Sequence, residues 1–126
     1  VAAEPEYLKK LAQRCRDTGT FLVLDECFED FLEEAEKYSM KGYLEEYPQM
    51  FLLKAFTKKY AMAGIRLGYG FCGDPQILGK MKEVMQPWNV SVVAQEAGIA
   101  ALKEETYVKE SMKKIRKERE ILLEGM

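Results

Sequence analysis

A three-layer α/β fold, a short sheet flanked by helices, is what this sequence predicts. Two observations carry that reading. Apolar, partly β-branched runs of strand length, Thr20 to Leu24 and Met50 to Lys54, alternate with stretches whose apolar residues recur at helical spacing. Residues 25–49 separate the two runs, enough chain for the crossover that parallel strands require.

The elements follow in order. Pro5 stands at a first helical position with Glu4 and Glu6 near the positive end of the dipole, and Leu8, Leu11, Ala12 and Cys15 share a face until Thr18-Gly19 ends the helix. The run 20–24 reads as a buried strand with Asp25-Glu26 at its carboxyl end, where an acid serves as turn, helix cap or chemistry. Residues 29–47 are polar and acidic with scattered aromatics, predicting a loop and a short helix begun at Ser39; Glu33, Glu34 and Glu36 read as solvated surface. Pro48 punctuates, and the strand Met50 to Lys54 leads to Lys58. Leu67 to Cys72 predicts a third strand, which Gly70 weakens unless a close backbone approach needs it. Asp74 caps and Pro75 begins a helix to about Met85, with Ile77, Leu78, Met81 and Val84 as a core-facing stripe. Ser91 caps a helix bearing Val92, Val93, Ala97, Ala100, Ala101 and Leu102, and Thr106 caps a charged final helix ending near Gly125.

The chain has 126 residues, a net charge of -2, three cysteines and no histidine. Its length suits one modest core, and its mixed charge lacks the basic footprint of a nucleic-acid binder. No run approaches a membrane span and the start shows no targeting pattern, so a cytoplasmic protein is expected. Cys15, Cys27 and Cys72 are widely spaced, so no structural metal is expected. Without an imidazole base, Ser-His and Cys-His nucleophiles are excluded and a lysine-based chemistry fits best.

A lysine just beyond an apolar strand lies where open α/β sheets keep their chemistry, and desolvation there lets Lys58 lose its proton and attack an aldehyde to form a Schiff base. Eight residues on in the sequence, Arg66 offers a planar, permanently charged fork for phosphate, with Gly64 and Gly68 beside it. On spacing alone, an exposed glycine-containing loop with surface lysine and arginine accounts for the pattern more readily. The segment Ala55 to Gly70, however, resembles the lysine signature of pyridoxal-phosphate enzymes of the aminotransferase fold, through Thr57, Lys58, Gly64, Arg66 and Gly68. Ala55 departs from it, standing where the family usually places a phosphate-binding hydroxyl. Asp25-Glu26-Cys27-Phe28 resembles the family's Asp-x-Ala-Tyr or Asp-Glu-Ala-Phe motif.

The resemblance implies a fragment, residues 1–126, of the large cofactor-binding domain with a mixed sheet, its third strand antiparallel. It implies pyridoxal 5'-phosphate as cofactor, Lys58 and Asp25 as catalytic residues, and Cys27, Phe28, Thr57 and Arg66 as further cofactor contacts. Asp25 would pair with the ring nitrogen, Cys27 pack on the ring face, Arg66 hold the phosphate, and Phe28 lack the usual tyrosine hydroxyl. Trp88 would reach toward the active site of a second subunit in a homodimer, against the alternative of a buried indole anchoring a turn. The stacking aromatic and glycine-rich phosphate turn would precede residue 1, and helix 106–126 would lead to a small domain carrying the substrate-carboxylate arginine. Within the family the nearest resemblance is to threonine-phosphate decarboxylases of cobalamin biosynthesis, next to histidinol-phosphate aminotransferases. The expected substrate is therefore an amino acid, with or without a phosphate group, with no nucleic-acid or membrane partner. This stretch by itself would be inactive; the other reading is an α/β piece with no chemistry that serves in assembly or binding.

Overall fold

A computed structural model describes residues 2–126. Helix α1, Pro5–Asp17, starts on the proline as expected, and Thr18 ends it with its N–H bonded to the carbonyl of Arg14. Gly19, at φ 65°, then reverses the chain into β1, Leu22–Asp25. Strand β2, Met50–Ala55, pairs parallel with β1, Leu22 opposite Met50 and Asp25 opposite Leu53. Strand β3, Gly68–Cys72, pairs antiparallel with β2, Phe51 opposite Cys72 and Ala55 opposite Gly68. The sheet order is β1-β2-β3, a short mixed sheet with β2 at its centre.

The core lies on one face of that sheet. Ala12 from α1, Met50 and Leu52 from β2, and Met40 and Tyr47 from the connection between the strands form a buried cluster, with Leu8, Leu22, Leu24 and Phe71 packed against it. Gly70 is explained by the other face, where a Cβ would collide with the Phe51 ring. Helix α5, Val92–Ala101, is capped by the Ser91 hydroxyl, which accepts from the Ala94 N–H at 3.1 Å. It buries its small residues Ala94, Gly98 and Ala101, with Gly98 set close against Leu67 and Phe56.

Several expectations are corrected. β1 is an edge strand and not a buried one: Leu22 and Leu24 turn inward while Val23 is 50% exposed. The short helix in the connection is α2, Ala35–Tyr38, ending before Ser39 instead of beginning there, and 3-10 turns at Glu29–Phe31 and Lys41–Tyr43 flank it. Serine is diverted because its hydroxyl bonds the Glu26 carboxylate. Helix α3, Phe56–Lys59, carries Lys58, and α4, Pro75–Val84, is capped by Asp74 accepting from the Gln76 N–H at 2.8 Å. The α4 stripe is not core: Ile77 and Leu78 are half-buried, Val84 is 82% exposed and no residue of the helix is fully buried. Trp88 is 95% exposed, so the buried-indole alternative fails. The final helix α6, Glu105–Glu124, has Glu104 at its N-cap in place of Thr106 and makes no side-chain cap bond there.

Candidate functional site

The strand directions decide what meets what. Asp25 is the last residue of β1 and Lys58 follows the last residue of the parallel β2. Arg66 precedes the antiparallel β3, whose first residue pairs with the last of β2. All three therefore lie at one end of the sheet, the carboxyl end of β1 and β2, although 41 positions in the sequence separate the first from the last. The Phe56 N–H, bonded to the Leu67 carbonyl at 3.2 Å, ties the start of α3 to the approach to β3.

Asp25 Oδ1 accepts from the Cys27 backbone N–H at 2.9 Å. Hydrogen bonds from Cys27, aided by the nearby Lys58 charge, hold the Asp25 carboxyl below its ordinary value, so it is an anion. Burial, with Asp25 beside it, pushes the Cys27 thiol up to about 11, leaving it neutral and behaving as a small polarizable side chain. Lys58 is exposed, with its Nζ 5.2 Å from the centre of the Phe28 ring, itself 64% exposed. The desolvation expected of Lys58 is thus not found, because the described chain leaves this end of the sheet open. Thr57 is half-buried beside it. Arg66 adopts a left-handed backbone, φ 57°, uncommon for a non-glycine residue, and its Nη1 donates to the Ala63 carbonyl at 3.2 Å. At Gly68 a Cβ would press on the Lys54 carbonyl oxygen at 3.1 Å.

A second group of charges escaped the sequence reading. Glu26 is buried, 8% exposed; its carboxylate accepts from the Met40 N–H at 2.8 Å and the Ser39 hydroxyl at 3.0 Å, and lies 3.4 Å from Lys54 Nζ. Lys54 also donates to Glu29, and Lys59 pairs with Asp30 at 2.7 Å. The available signal was Lys54 itself, since a lysine closing the apolar run Met50 to Leu53 on a central strand needs a buried anion. A cavity of about 370 Å³ lies beneath this loop, lined by Leu8, Leu24, Asp25, Phe28, Leu32 and Tyr38 among others; neither Lys58 nor Arg66 lines it. Among the described residues, no helix is long and apolar enough to cross a membrane.

An acid, a lysine and a guanidinium stand at one end of the mixed sheet of an α/β protein, the end where open α/β sheets keep their sites. The family model "Aminotransferase class I and II" matches residues 1–126. The chain belongs to that family of pyridoxal-phosphate-dependent enzymes. It is 38% identical over 90 residues to histidinol-phosphate aminotransferase 2 of Nitrosospira multiformis, covering 71% of this chain and 23% of that protein. It is 31% identical over 102 residues to a protein of Caldanaerobacter subterraneus subsp. tengcongensis named for threonine-phosphate decarboxylase, covering 81% and 28%. The solved histidinol-phosphate aminotransferase of Clostridium acetobutylicum superposes with a TM-score of 0.86 at 32% identity, covering 95% of this chain and 36% of that one. The enzyme of Sinorhizobium meliloti, solved in complex with pyridoxal-5'-phosphate, superposes at 0.75 with 25% identity, covering 89% and 30%. The chain thus spans between 23% and 36% of the length of these relatives.

The buried charges carry a pH dependence. Two carboxylates share Lys54, and burial together with Glu26 raises Glu29 from 4.5 to about 7. Between those values the folded state keeps a proton that the unfolded chain has released, so this contribution to stability falls as pH rises through that window. A carboxyl-carbon NMR titration should place the Glu29 midpoint near 7. Glu29→Gln should remove that part of the decline in urea unfolding, whereas a midpoint at 4.5 would contradict the shared-lysine account.

Proposed function

We propose that this chain supplies the lysine, the ring-nitrogen acid and a phosphate arginine of a pyridoxal-phosphate enzyme acting on a phosphorylated amino compound. The observation that carries the reading is the meeting of Asp25, Lys58 and Arg66 at one sheet end in a chain of the aminotransferase family. The donor set fits the cofactor: an anionic carboxylate for a protonated pyridine nitrogen, an amine for an aldehyde, and a guanidinium for a phosphate. Once bound, pyridoxal phosphate supplies an electron-poor ring that takes up the electron pair released when a bond to the substrate Cα breaks.

The residues divide that work. Asp25 holds a proton on the ring nitrogen, and a loop amide keeps its carboxylate fixed. Lys58 would supply the amine for the aldehyde and, with the substrate's own amine in its place, would stand ready to carry a proton from the substrate Cα. Arg66 grips the phosphate, and Thr57 offers a hydroxyl where Ala55 has none. Cys27 packs against the ring face, while Phe28 leaves the ring's phenolic oxygen without a tyrosine hydroxyl. Trp88, Val84, Val92 and Val93 are exposed apolar side chains available to a second subunit, and α6 would lead toward a smaller domain.

Amino transfer is the reading we favour. Sequence resemblance put decarboxylation first, but relatives named histidinol-phosphate aminotransferase reach the higher identity, with solved structures of that name at a TM-score of 0.86. Decarboxylation of a phosphorylated threonine is the second reading, supported by the 31% identity to a relative named for it. The test uses the whole protein with each substrate. Histidinol phosphate should lose its amino group to a keto-acid acceptor, with the cofactor absorbance passing to the amine form. Carbon dioxide from O-phosphothreonine, with the aldehyde form retained, would hand the case to the second reading. In either case Lys58→Ala should abolish turnover, and Arg66→Ala should weaken cofactor binding roughly ten- to a hundredfold through loss of charge-assisted hydrogen bonds. An unchanged cofactor Kd in Arg66→Ala would contradict the phosphate role.

A further inference from the structure

Three lysines from the β2–α3 segment reach one stretch of the loop after β1. Lys54 lies between Glu26 and Glu29, Lys59 Nζ meets Asp30 Oδ1 at 2.7 Å, and Lys58 Nζ stands over the face of Phe28. Among the described residues Lys58 has no carboxylate at ion-pair distance, whereas its neighbour Lys59 is held in a pair whose side chains are only 25% and 24% exposed. Two adjacent amines therefore leave the same helical turn, one paired and one not.

Resting on the reading of Lys58 as the amine that takes the cofactor's aldehyde, we propose that Asp30 is a positioning residue. By committing Lys59 to a largely buried ion pair, it leaves Lys58 as the amine able to react. Bonding to an aldehyde uses the nitrogen lone pair: the ammonium proton goes to solvent, the C–N bond forms, and the aldehyde oxygen departs as water. A lysine locked to a carboxylate holds its proton. Burial works against the Lys59 charge, but Asp30 outweighs it, with Tyr60 and Tyr69 the other titratable groups facing the amine. The same pair fixes the turn Glu29–Phe31, in which Phe31 packs 5.9 Å from Phe28, and so helps set the ring beneath Lys58.

The test has a cofactor-free arm and a loaded arm, both on the whole protein. Trace acetylation of the cofactor-free protein with acetic anhydride should show Lys59 unreactive at neutral pH. In Asp30→Asn its reactivity should rise to match that of the exposed Lys58 in the same sample, since the carboxylate that holds its proton is gone. Asp30→Glu, which keeps the anion, should restore protection. In the loaded arm, borohydride reduction and peptide mapping should find the pyridoxyl group on Lys58 in the unaltered protein and on both Lys58 and Lys59 in Asp30→Asn. Label absent from Lys58 in the unaltered protein would overturn the reading of Lys58 itself. Label confined to Lys58 in Asp30→Asn, with Lys59 acetylation unchanged, would overturn the role of Asp30 alone.

Discussion

Lys54 is the constraint on which the site depends. It projects from the central strand into a space with two carboxylates, Glu26 and Glu29, and its ammonium is nearly removed from water. An unpaired charge there would be costly, and removing one partner of such a pair typically costs about 3–5 kcal/mol. The arrangement is therefore worth keeping for what it orders more than for what it adds to stability. Glu26 also binds the Ser39 hydroxyl and the Met40 N–H, so one carboxylate ties together the end of β1, the crossover and the middle of the sheet.

What this order achieves is a loop from Asp25 to Phe31 held at several points. Glu29 is fixed to β2 and Asp30 to α3, which anchors the two residues that directly follow Phe28, whose ring lies under the Lys58 amine. Asp25 sits at the root of this loop with its carboxylate bonded to the Cys27 N–H, while the parallel pairing of β1 with β2 sets its distance from the turn that bears Lys58. Positioning of this kind is what the proposed function requires, since a reacting bond would have to be held at a defined angle to an electron-accepting ring.

Much of this was legible in the residues. Strand ends carrying Asp25 and Lys58, the proline-started α1, and the caps Asp74 and Ser91 follow from local chemistry and stand where it puts them. The shared-lysine network was not legible, because Lys54 and Glu29 are 25 positions apart and a charged loop gives no sign of which acid turns inward. Glu33, Glu34 and Glu36 are exposed as their pattern suggests, while Glu26, Glu29 and Asp30 in the same acidic stretch are drawn in by lysines. Ser39 was misread as a helix start for a related reason: its hydroxyl serves a distant carboxylate. The stripe on α4 has the spacing of core residues but lies open, since periodicity shows which face is apolar and not what covers it.

We propose that Asp25, Lys58 and Arg66 make one cofactor site. A crystal structure of the whole protein with pyridoxal phosphate tests it most directly. The account predicts the ring nitrogen at hydrogen-bond distance from the Asp25 carboxylate, the former aldehyde carbon bonded to Lys58 Nζ, and the phosphate against Arg66. A cofactor bonded to another lysine, or turned so that its phosphate lies beside Asp25, would contradict it.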